Sequence, residues 1–406
     1  MAGFFSRMFQ RKSGVTTLEL FREVFGGSPA KSGQRVNIET AIQVATVFAC
    51  LRVLADGVAQ VPLKLYRTDG RRRLPATDHP LYTVLHRQPN EWQTSYEYRE
   101  TMMLHVGLTG RHFSFINRVR GQVAELIPLD PGRVTVKRST DLVITYEVLG
   151  LDGSKMLFPR EALWHVRGPS WDSFSALQPV RLAREAIGLS QAIEEQQARF
   201  YETGASPSGL LSVEGTLDDE QNKRLRAWLE KDVQGAKNAG RPFVLDRNSK
   251  WMQMSMSGVD AQTLEQRKFQ IEEICRAFRV MPIMVGYSDK AATYASAEQM
   301  FLAHVVHTLS PWYERLEQSI DANLLSDADR RAGLYAKFVE EGLLRGSLKD
   351  TKDYLLGLVN GGLMTPNEGR EKLDLDPDTD PASDQLRVPQ NVVGAPAAEE
   401  PALPAN

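Results

Sequence analysis

The sequence predicts an α+β protein that combines long amphipathic helices with a strand-rich block. Two helical patterns separated by a loop occupy Val259 to Leu325, and a further long helix is predicted from about Ala176 to Tyr201. Between Arg111 and Gly168, apolar and polar residues alternate and are interrupted by Gly, Asp and Pro, which indicates several short strands. The length of 406 residues allows two or three domains.

The helix, loop and helix from Val259 onward are the most informative stretch. The first helix is predicted over about Val259 to Arg279, because apolar residues recur there at helical spacing. These residues are Leu264, Ile271, Ile274, Cys275 and Phe278. The loop, Met281 to Ser296, is long and rich in small polar residues, and such loops are often functional. The second helix is expected to begin near Ala297, and Pro311 should kink it.

Upstream, residues 1–34 are rich in Gly, Ser and Lys, and we expect a poorly ordered arm; docking onto a neighbouring subunit is the alternative. From Asn37 an amphipathic helix is predicted, broken at Pro62 and followed by a short strand. Pro80 should open a short helix, and the next helix should end with Gly110 as its C-cap.

Downstream of the strand-rich block, the long helix has Pro179 in its first turn and Gly204 at its end. A compact insert from Ser206 to Ser257 is predicted as the strands GLLSVEG, RPFVLD and KWMQMSM with one amphipathic helix. After Leu325 the pattern predicts short helices with glycine breaks, all-α in character. From Asp376 onward the composition of Asp, Pro and Ala predicts disorder.

Composition and charge exclude several function classes. Hydrophobic and charged contents of 42% and 25% are ordinary for a soluble globular protein. The net charge of −2 argues against a tight nonspecific nucleic-acid coat, although not against a channel through which DNA slides. Cys50 and Cys275 form neither a disulfide framework nor a metal pattern, which fits a reducing cytosolic setting. We predict no secretory signal and no membrane span.

No catalytic constellation can be assembled from the sequence. The run GGSPAKS at Gly26 to Ser32 lacks the second glycine immediately before Lys31 that a phosphate-binding loop requires. His304 and His307 are three residues apart on a helix, but a metal site would need further ligands. We therefore predict that the protein is not an enzyme, holds no metal and needs no cofactor, and that both histidines are structural or exposed.

Several motifs, in their order along the chain, resemble the HK97-like branch of the tailed-phage portal protein family. The first is ICRAFRVMPIMVG, followed by the small polar loop and SAEQMFLAHVVHTLSPWYERLEQSIDANLL. The others are VPLKLYR, ELIPLDPGRVTV and GGLMTPNEGREKLDLDP. The resemblance covers roughly Asn37 to Leu375, and it rests on these motifs together, since none is diagnostic alone.

The resemblance implies a portal fold with an α/β wing, long stem helices, a small α/β clip insert, a tunnel loop and an α-helical crown. The implied boundaries are a flexible N-terminal arm at 1–34, wing at 35–173, stem helix at 174–204, clip at 205–258, stem helix at 259–280, tunnel loop at 281–296, wing helix at 297–326, crown at 327–375 and disordered tail at 376–406.

The implied function is a ring-shaped DNA channel, commonly of twelve copies, at one capsid vertex. Such a ring serves head assembly, terminase docking, genome packaging, ejection and head-tail joining. The implied partners are further copies of the chain, double-stranded DNA, terminase, major capsid protein and head-tail connector or adaptor proteins, with no membrane. The implied location is the portal vertex of the virion, after assembly in the host cytoplasm.

By the same resemblance, the tunnel loop faces DNA. Its candidate residues are Tyr287, Ser288, Asp289, Lys290, Thr293 and Tyr294. Lys290 is the only basic residue between Met281 and Ser296, and Asp289 opposes tight binding, so the sparse mixed charge suits sliding. For both tyrosines, packing is favoured over contact with a base-pair edge.

A closed ring also needs head-to-tail contacts between subunits, and we expect Phe269 to supply one, since it lies opposite the stripe of Leu264 and Ile274. Two alternatives stay open. A non-viral DNA-binding or scaffold protein with an α/β core would usually show a basic stripe, which this chain lacks. An enzyme such as a hydrolase would show turnover or a bound metal.

Overall fold

The α+β class is confirmed by a computed structural model. It describes residues 29–70, 72–202, 209–212, 218–228, 250–253, 257–287, 294–340, 348–373 and 375–387. The chain divides into two units, Met1–Val339 and Glu340–Asn406.

The first unit begins with a short ordered segment and two helices. Residues 1–28 of the predicted arm lie outside the described residues, whereas Ala30 and Val36 are buried. Helix α1 spans Ile38–Gln43 and α2 spans Ala45–Ala59. Asn37 caps α1, because its side-chain oxygen accepts the backbone N–H of Thr40 at 2.8 Å. The helix predicted from Asn37 forms as two helices separated at Val44, and its end before Pro62 is confirmed.

The first sheet corrects one prediction. Strands β1, β2 and β11, at Leu63–Asp69, Arg72–Pro75 and Leu334–Phe338, form an antiparallel sheet in the order β11-β1-β2. We predicted only helices after Leu325, and this is wrong for β11. Leu334, Ala336 and Phe338 alternate inward along the strand, and pairing with β1 determines its conformation.

Two further helices match the local signals. Helix α3 spans Pro80–His86 with Pro80 at its first position, and α4 spans Ser95–Thr109. A reciprocal capping box between Thr94 and Glu97 starts α4. Gly110 ends α4 with a φ of +78°, as predicted for a glycine C-cap.

The strand-rich block forms two three-stranded antiparallel sheets around a shared core. One sheet has the order β4-β3-β8 and the other β5-β6-β7. The strands are β3 Arg111–Val119, β4 Gln122–Leu129, β5 Val134–Arg138, β6 Ile144–Leu149, β7 Lys155–Pro159 and β8 Leu163–Arg167. Phe113, Tyr146 and Phe158 contribute aromatic side chains from different strands to this core. The predicted strands are confirmed.

The long helix predicted from Ala176 is not continuous. It forms as α5 at Pro179–Leu182 and α6 at Arg184–Glu202, interrupted at Ala183. The insert that follows contains β9 at Gly209–Ser212 paired antiparallel with β10 at Lys250–Gln253, and α7 at Asp219–Trp228. The predicted strand RPFVLD lies outside the described residues.

The helix, loop and helix are present with shifted ends. Helix α8 spans Ser257–Phe278, and α9 spans Tyr294–His304 rather than beginning near Ala297. A π-helical turn at Val305–Leu309 leads into α10 at Ser310–Asn323, followed by α11 at Asp327–Arg331. The irregularity expected at Pro311 therefore lies in the turn preceding it.

The second unit contains α12 at Leu348–Asn360 and α13 at Pro366–Glu371. The Asn367 amide donates to Oδ1 of Asp384 at 2.7 Å and to the carbonyl oxygen of Asp378 at 3.1 Å. These bonds hold a segment that composition assigned to a disordered tail. Residues 388–406 of that tail lie outside the described residues.

Candidate functional site

Helix α8 leads into the candidate loop, and the C-terminal part of α8 has a buried face. Ile274 and Cys275 are completely buried, and Phe278 is buried as well. Leu264, which has the same helical spacing, is 58% exposed. Phe269 is 55% exposed, which leaves two large apolar side chains at the surface of one helix.

Two neighbours position α8. It packs along α6, where the Arg267 guanidinium donates to the side-chain oxygen of Gln197 at 2.8 Å and lies 3.8 Å from the Glu194 carboxylate. It also packs on α2, where the buried thiols of Cys50 and Cys275 have their Sγ atoms 3.8 Å apart. The end of α8 is therefore fixed to the interior of the first unit.

A tight turn carries the chain from α8 toward the loop. The N–H of Val280 donates to the carbonyl oxygen of Cys275 at 2.9 Å, and Pro282–Val285 form a 3₁₀ turn. Gly286 ends this turn at a φ of +78°, a conformation that favours glycine. The N–H of Tyr287 then donates to the carbonyl oxygen of Pro282 at 3.1 Å. Hydrogen bonds therefore fix the backbone as far as Tyr287.

The helical segment after the loop contacts the end of α8. The Thr308 hydroxyl, in the π-helical turn, donates to the carbonyl oxygen of Arg279 at 2.9 Å. Arg279 itself adopts a φ of +56°, which is unusual for a residue other than glycine. This bond joins the end of α8 to the π-helical turn that follows α9. We call this attachment the base of the loop.

The residues at and just after the base of the loop pack closely against Gly57 of α2. A Cβ atom added to Gly57 would lie 2.6 Å from Cδ2 of Leu309, so a larger residue there would require this buried leucine side chain to shift. The Tyr313 hydroxyl donates to the carbonyl oxygen of Gly57 at 2.7 Å. His304 is completely buried near this turn, and burial lowers its pKa.

The structure describes only part of the predicted DNA-facing set. Tyr287 is half-buried, and Tyr294 is the first residue of α9. Ser288, Asp289, Lys290 and Thr293 lie outside the described residues. Sequence reasoning missed Gly57 and Thr308, whose partners are distant along the chain and leave no local signal.

The described residues carry neither a cluster of metal ligands nor a helix suited to span a membrane. No group of three or more His, Cys, Asp or Glu side chains there could hold a metal ion. His304 is buried and His307 is exposed, so the two predicted histidines do not present one shared surface. None of the helices in the described part of the chain combines the length and apolar character needed to cross a bilayer.

Comparison with known proteins gives consistent matches across this architecture. The sequence model of the family described as "Phage portal protein" matches residues 45–374. The chain is 28% identical over 348 residues to the portal protein of Enterobacteria phage HK97, covering 84% of this chain and 81% of that relative. It is 30% identical over 381 residues to the "Probable portal protein" of Streptomyces phage phiC31, covering 90% and 82% respectively.

Among solved structures, a chain from the neck of an empty gene transfer agent particle, computed with C6 symmetry, aligns with a TM-score of 0.57. The two chains are 25% identical, and the alignment covers 90% of this chain and 95% of the other. The similarity therefore extends over nearly the whole of both chains.

Proposed function

Because this chain belongs to the phage portal protein family, we propose that it forms a homo-oligomeric ring at one capsid vertex, through which double-stranded DNA passes during packaging and ejection. We propose twelve copies, a number compatible with the six-fold symmetry of the neck structure it resembles. A closed ring uses heterologous contacts, in which one face of each subunit meets a different face of the next.

We further propose that the loop from Tyr287 to Tyr294 faces the channel. The observation that carries this proposal is the base of the loop, where the Thr308 hydroxyl donates to the Arg279 carbonyl oxygen and attaches the segment after α9 to the end of α8. A fixed base would hold the loop at the same height in every copy, as contact with a central duplex requires. The half-buried Tyr287 belongs to this base, which supports a packing role for its ring.

The charges of the loop suit passage rather than retention of DNA. Lys290 is its only cation, and Asp289 is adjacent. Each lysine–phosphate contact adds affinity that falls with salt, so a ring of single lysines would hold DNA weakly. Ser288, Thr293 and Tyr294 complete the proposed DNA-facing set without adding charge.

For the ring itself, we propose that Phe269 makes a subunit contact. Its side chain and that of Leu264 are both more than half exposed on α8, beside polar and charged neighbours. Burial of a phenylalanine side chain contributes about 1.5–3 kcal/mol. Repeated at every interface, such a contact would favour closure of the ring.

The remaining assignments follow from family membership. We propose that the wing, stem, clip and crown have the boundaries stated above, and that terminase, major capsid protein and head-tail connector or adaptor proteins are partners. Assembly would take place in the host cytoplasm, and the mature location would be the portal vertex of the virion. Portal proteins are structural, and we propose that this chain has no catalytic activity of its own.

The first test is native mass measurement and negative-stain imaging of the purified protein. We expect a ring with a central hole of about duplex width, and Phe269→Asp should yield smaller species. Leu142→Asp is the matched control, because Leu142 is 67% exposed and lies in the hairpin between β5 and β6. Normal rings from Phe269→Asp would disprove the contact role of Phe269.

The second test deletes residues 288–295. We expect rings of unchanged mass, whereas particles assembled with the variant should package or retain less DNA. Particles with the DNA content of the unmodified protein would show that the loop does not act on DNA. Loss of the ring itself would instead assign the loop to assembly.

A further inference from the structure

A cavity of about 640 Å³ lies between the strand-rich block and α10, away from the loop base. Strands β6 and β8 contribute Tyr146, His165 and Arg167, and Arg315 from α10 also lines it. A volume of this size is in the range of ligand-binding clefts. Neither the loop nor the proposed subunit contact uses these residues.

Three arginines line this cavity. In the part of the chain that the structure describes, no carboxylate forms an ion pair with Arg160, Arg167 or Arg315. The only acidic residue of the described lining is Glu314, and its carboxylate accepts a hydrogen bond from the Gln318 amide at 2.5 Å. The cavity is therefore locally cationic in a chain whose net charge is −2.

Two of the guanidinium groups are held in place by contacts with neighbouring groups. Arg167 donates through Nη1 to the carbonyl oxygen of Ser173 at 2.6 Å, and Arg315 donates through Nη1 to the carbonyl oxygen of Arg167 at 3.2 Å. The Arg315 guanidinium also lies 5.6 Å from the ring centroid of Trp312. A guanidinium carries five N–H donors, so each retains donors for a planar anion such as a carboxylate.

The loop that contributes Ser173 and Phe174 to the cavity lining, which we call the rim, also carries Trp171. Trp171 is 92% exposed, the highest exposure among the described large apolar side chains. Its neighbour Asp172 fixes the loop, since one carboxylate oxygen accepts the N–H of Phe174 at 2.9 Å and that of Ser175 at 2.6 Å. These bonds hold the pKa of Asp172 well below its usual range. The Trp171 side chain therefore makes little contact with the described part of the subunit.

We propose that this cavity and its rim are a docking site for an acidic segment of a partner protein. Carboxylates of the segment would pair with the arginines, and an apolar side chain beside them would lie against Trp171. Trp and Arg are the residues most enriched where protein interfaces carry their binding energy. Val136, Ile144 and Phe174 also line the cavity, and a small free anion would leave them uncovered.

The test places a photo-reactive benzoylphenylalanine at position 171, an aromatic side chain of comparable size, in the full chain within assembled particles. Irradiation followed by mass spectrometry identifies the attached residues. Position 92 is the matched control, because Trp92 is 55% exposed and does not line the cavity. The same experiment is repeated with Arg160→Gln and Arg315→Gln together, which removes two charges but keeps polar side chains.

We expect attachment at position 171 to an Asp- or Glu-rich segment of another protein, about tenfold weaker in the double-arginine variant. Attachment to a second copy of this chain or to DNA, a yield unchanged in the double variant, or a yield no higher than at position 92 would each overturn the proposal. The use of particles rests on the proposed function. Ring mass is therefore measured on the same variants, so that loss of assembly is distinguished from loss of docking.

Discussion

Adding a methyl group at Gly110 should strongly destabilise the folded first unit. It joins α4 to β3 at a φ of +78°, and an added Cβ would lie 2.2 Å from the carbonyl oxygen of Leu177. The left-handed conformation costs a residue with a side chain about 1–2 kcal/mol. Because the obstructing atom belongs to the backbone, it cannot rotate away, and overpacking adds about 1–3 kcal/mol. Gly110→Ala should therefore destabilise the first unit by roughly 2–5 kcal/mol.

Gly121 provides the matched control, since its φ is +84° and nothing lies within 4 Å of an added Cβ. Gly121→Ala should destabilise the first unit only by the cost of the left-handed conformation, about 1–2 kcal/mol. With an unfolding entropy of about 2.1 cal/mol/K per residue, the Gly110 variant should lose roughly 3–7 °C in Tm and the control roughly 1–3 °C. Circular dichroism at equal subunit concentration measures both. An equal or smaller loss in Gly110→Ala would refute the steric argument.

Three further predictions concern buried polar groups. Burial lowers the pKa of His105 to about 4 and of His165 to about 3, from an ordinary value of 6.5. The unfolded chain therefore binds more protons below pH 6.5, so Tm should fall between pH 6.5 and 4, and a flat profile would contradict this. Glu317→Leu should lower the free energy of unfolding, measured with denaturant, by about 1–3 kcal/mol more than Glu317→Gln does. The reason is that leucine removes the acceptor for a lysine and for a backbone N–H of β11. Equal losses in the two variants would contradict this. Cys50 and Cys275 are buried, so a thiol reagent such as Ellman's should label them only after unfolding, and rapid labelling of the folded protein would oppose this.

The elements predicted correctly from the sequence are those with local signals. Pro80 starts α3 and Gly110 ends α4, because the ring of proline and the missing side chain of glycine act within one turn of the chain. The strands between Arg111 and Arg167 were recognisable by their alternation, since each has one buried face.

The structure departs from the sequence pattern where contacts between residues distant along the chain determine conformation or burial. Strand β11 is five residues long, and its conformation depends on β1, which lies far upstream. Leu264 shares the helical spacing of Ile274 and Cys275, yet it is 58% exposed whereas they are buried. Spacing identifies a face of a helix, whereas burial requires a second element against that face.

The same distinction applies to the candidate sites. The loop could be located from its length and composition, but the Thr308–Arg279 bond that fixes its base could not. The cationic cavity left no sequence signal at all. Arg160 and Arg167 are separated from Arg315 by well over a hundred residues, and the fold alone brings them to one cavity.

Pro311 shows how a local signal and a tertiary contact combine. Proline has no N–H to donate, and its ring collides with the carbonyl group four residues earlier in a regular helix. The chain accommodates this with a π-helical turn, in which the N–H of Ser310 donates to the carbonyl oxygen of Val305. That turn presents Thr308 to the Arg279 carbonyl oxygen and Leu309 to Gly57. Pro311 thus determines where the helix departs from α-helical geometry. The surrounding contacts determine the form of this irregular turn and which of its residues hold the base of the loop.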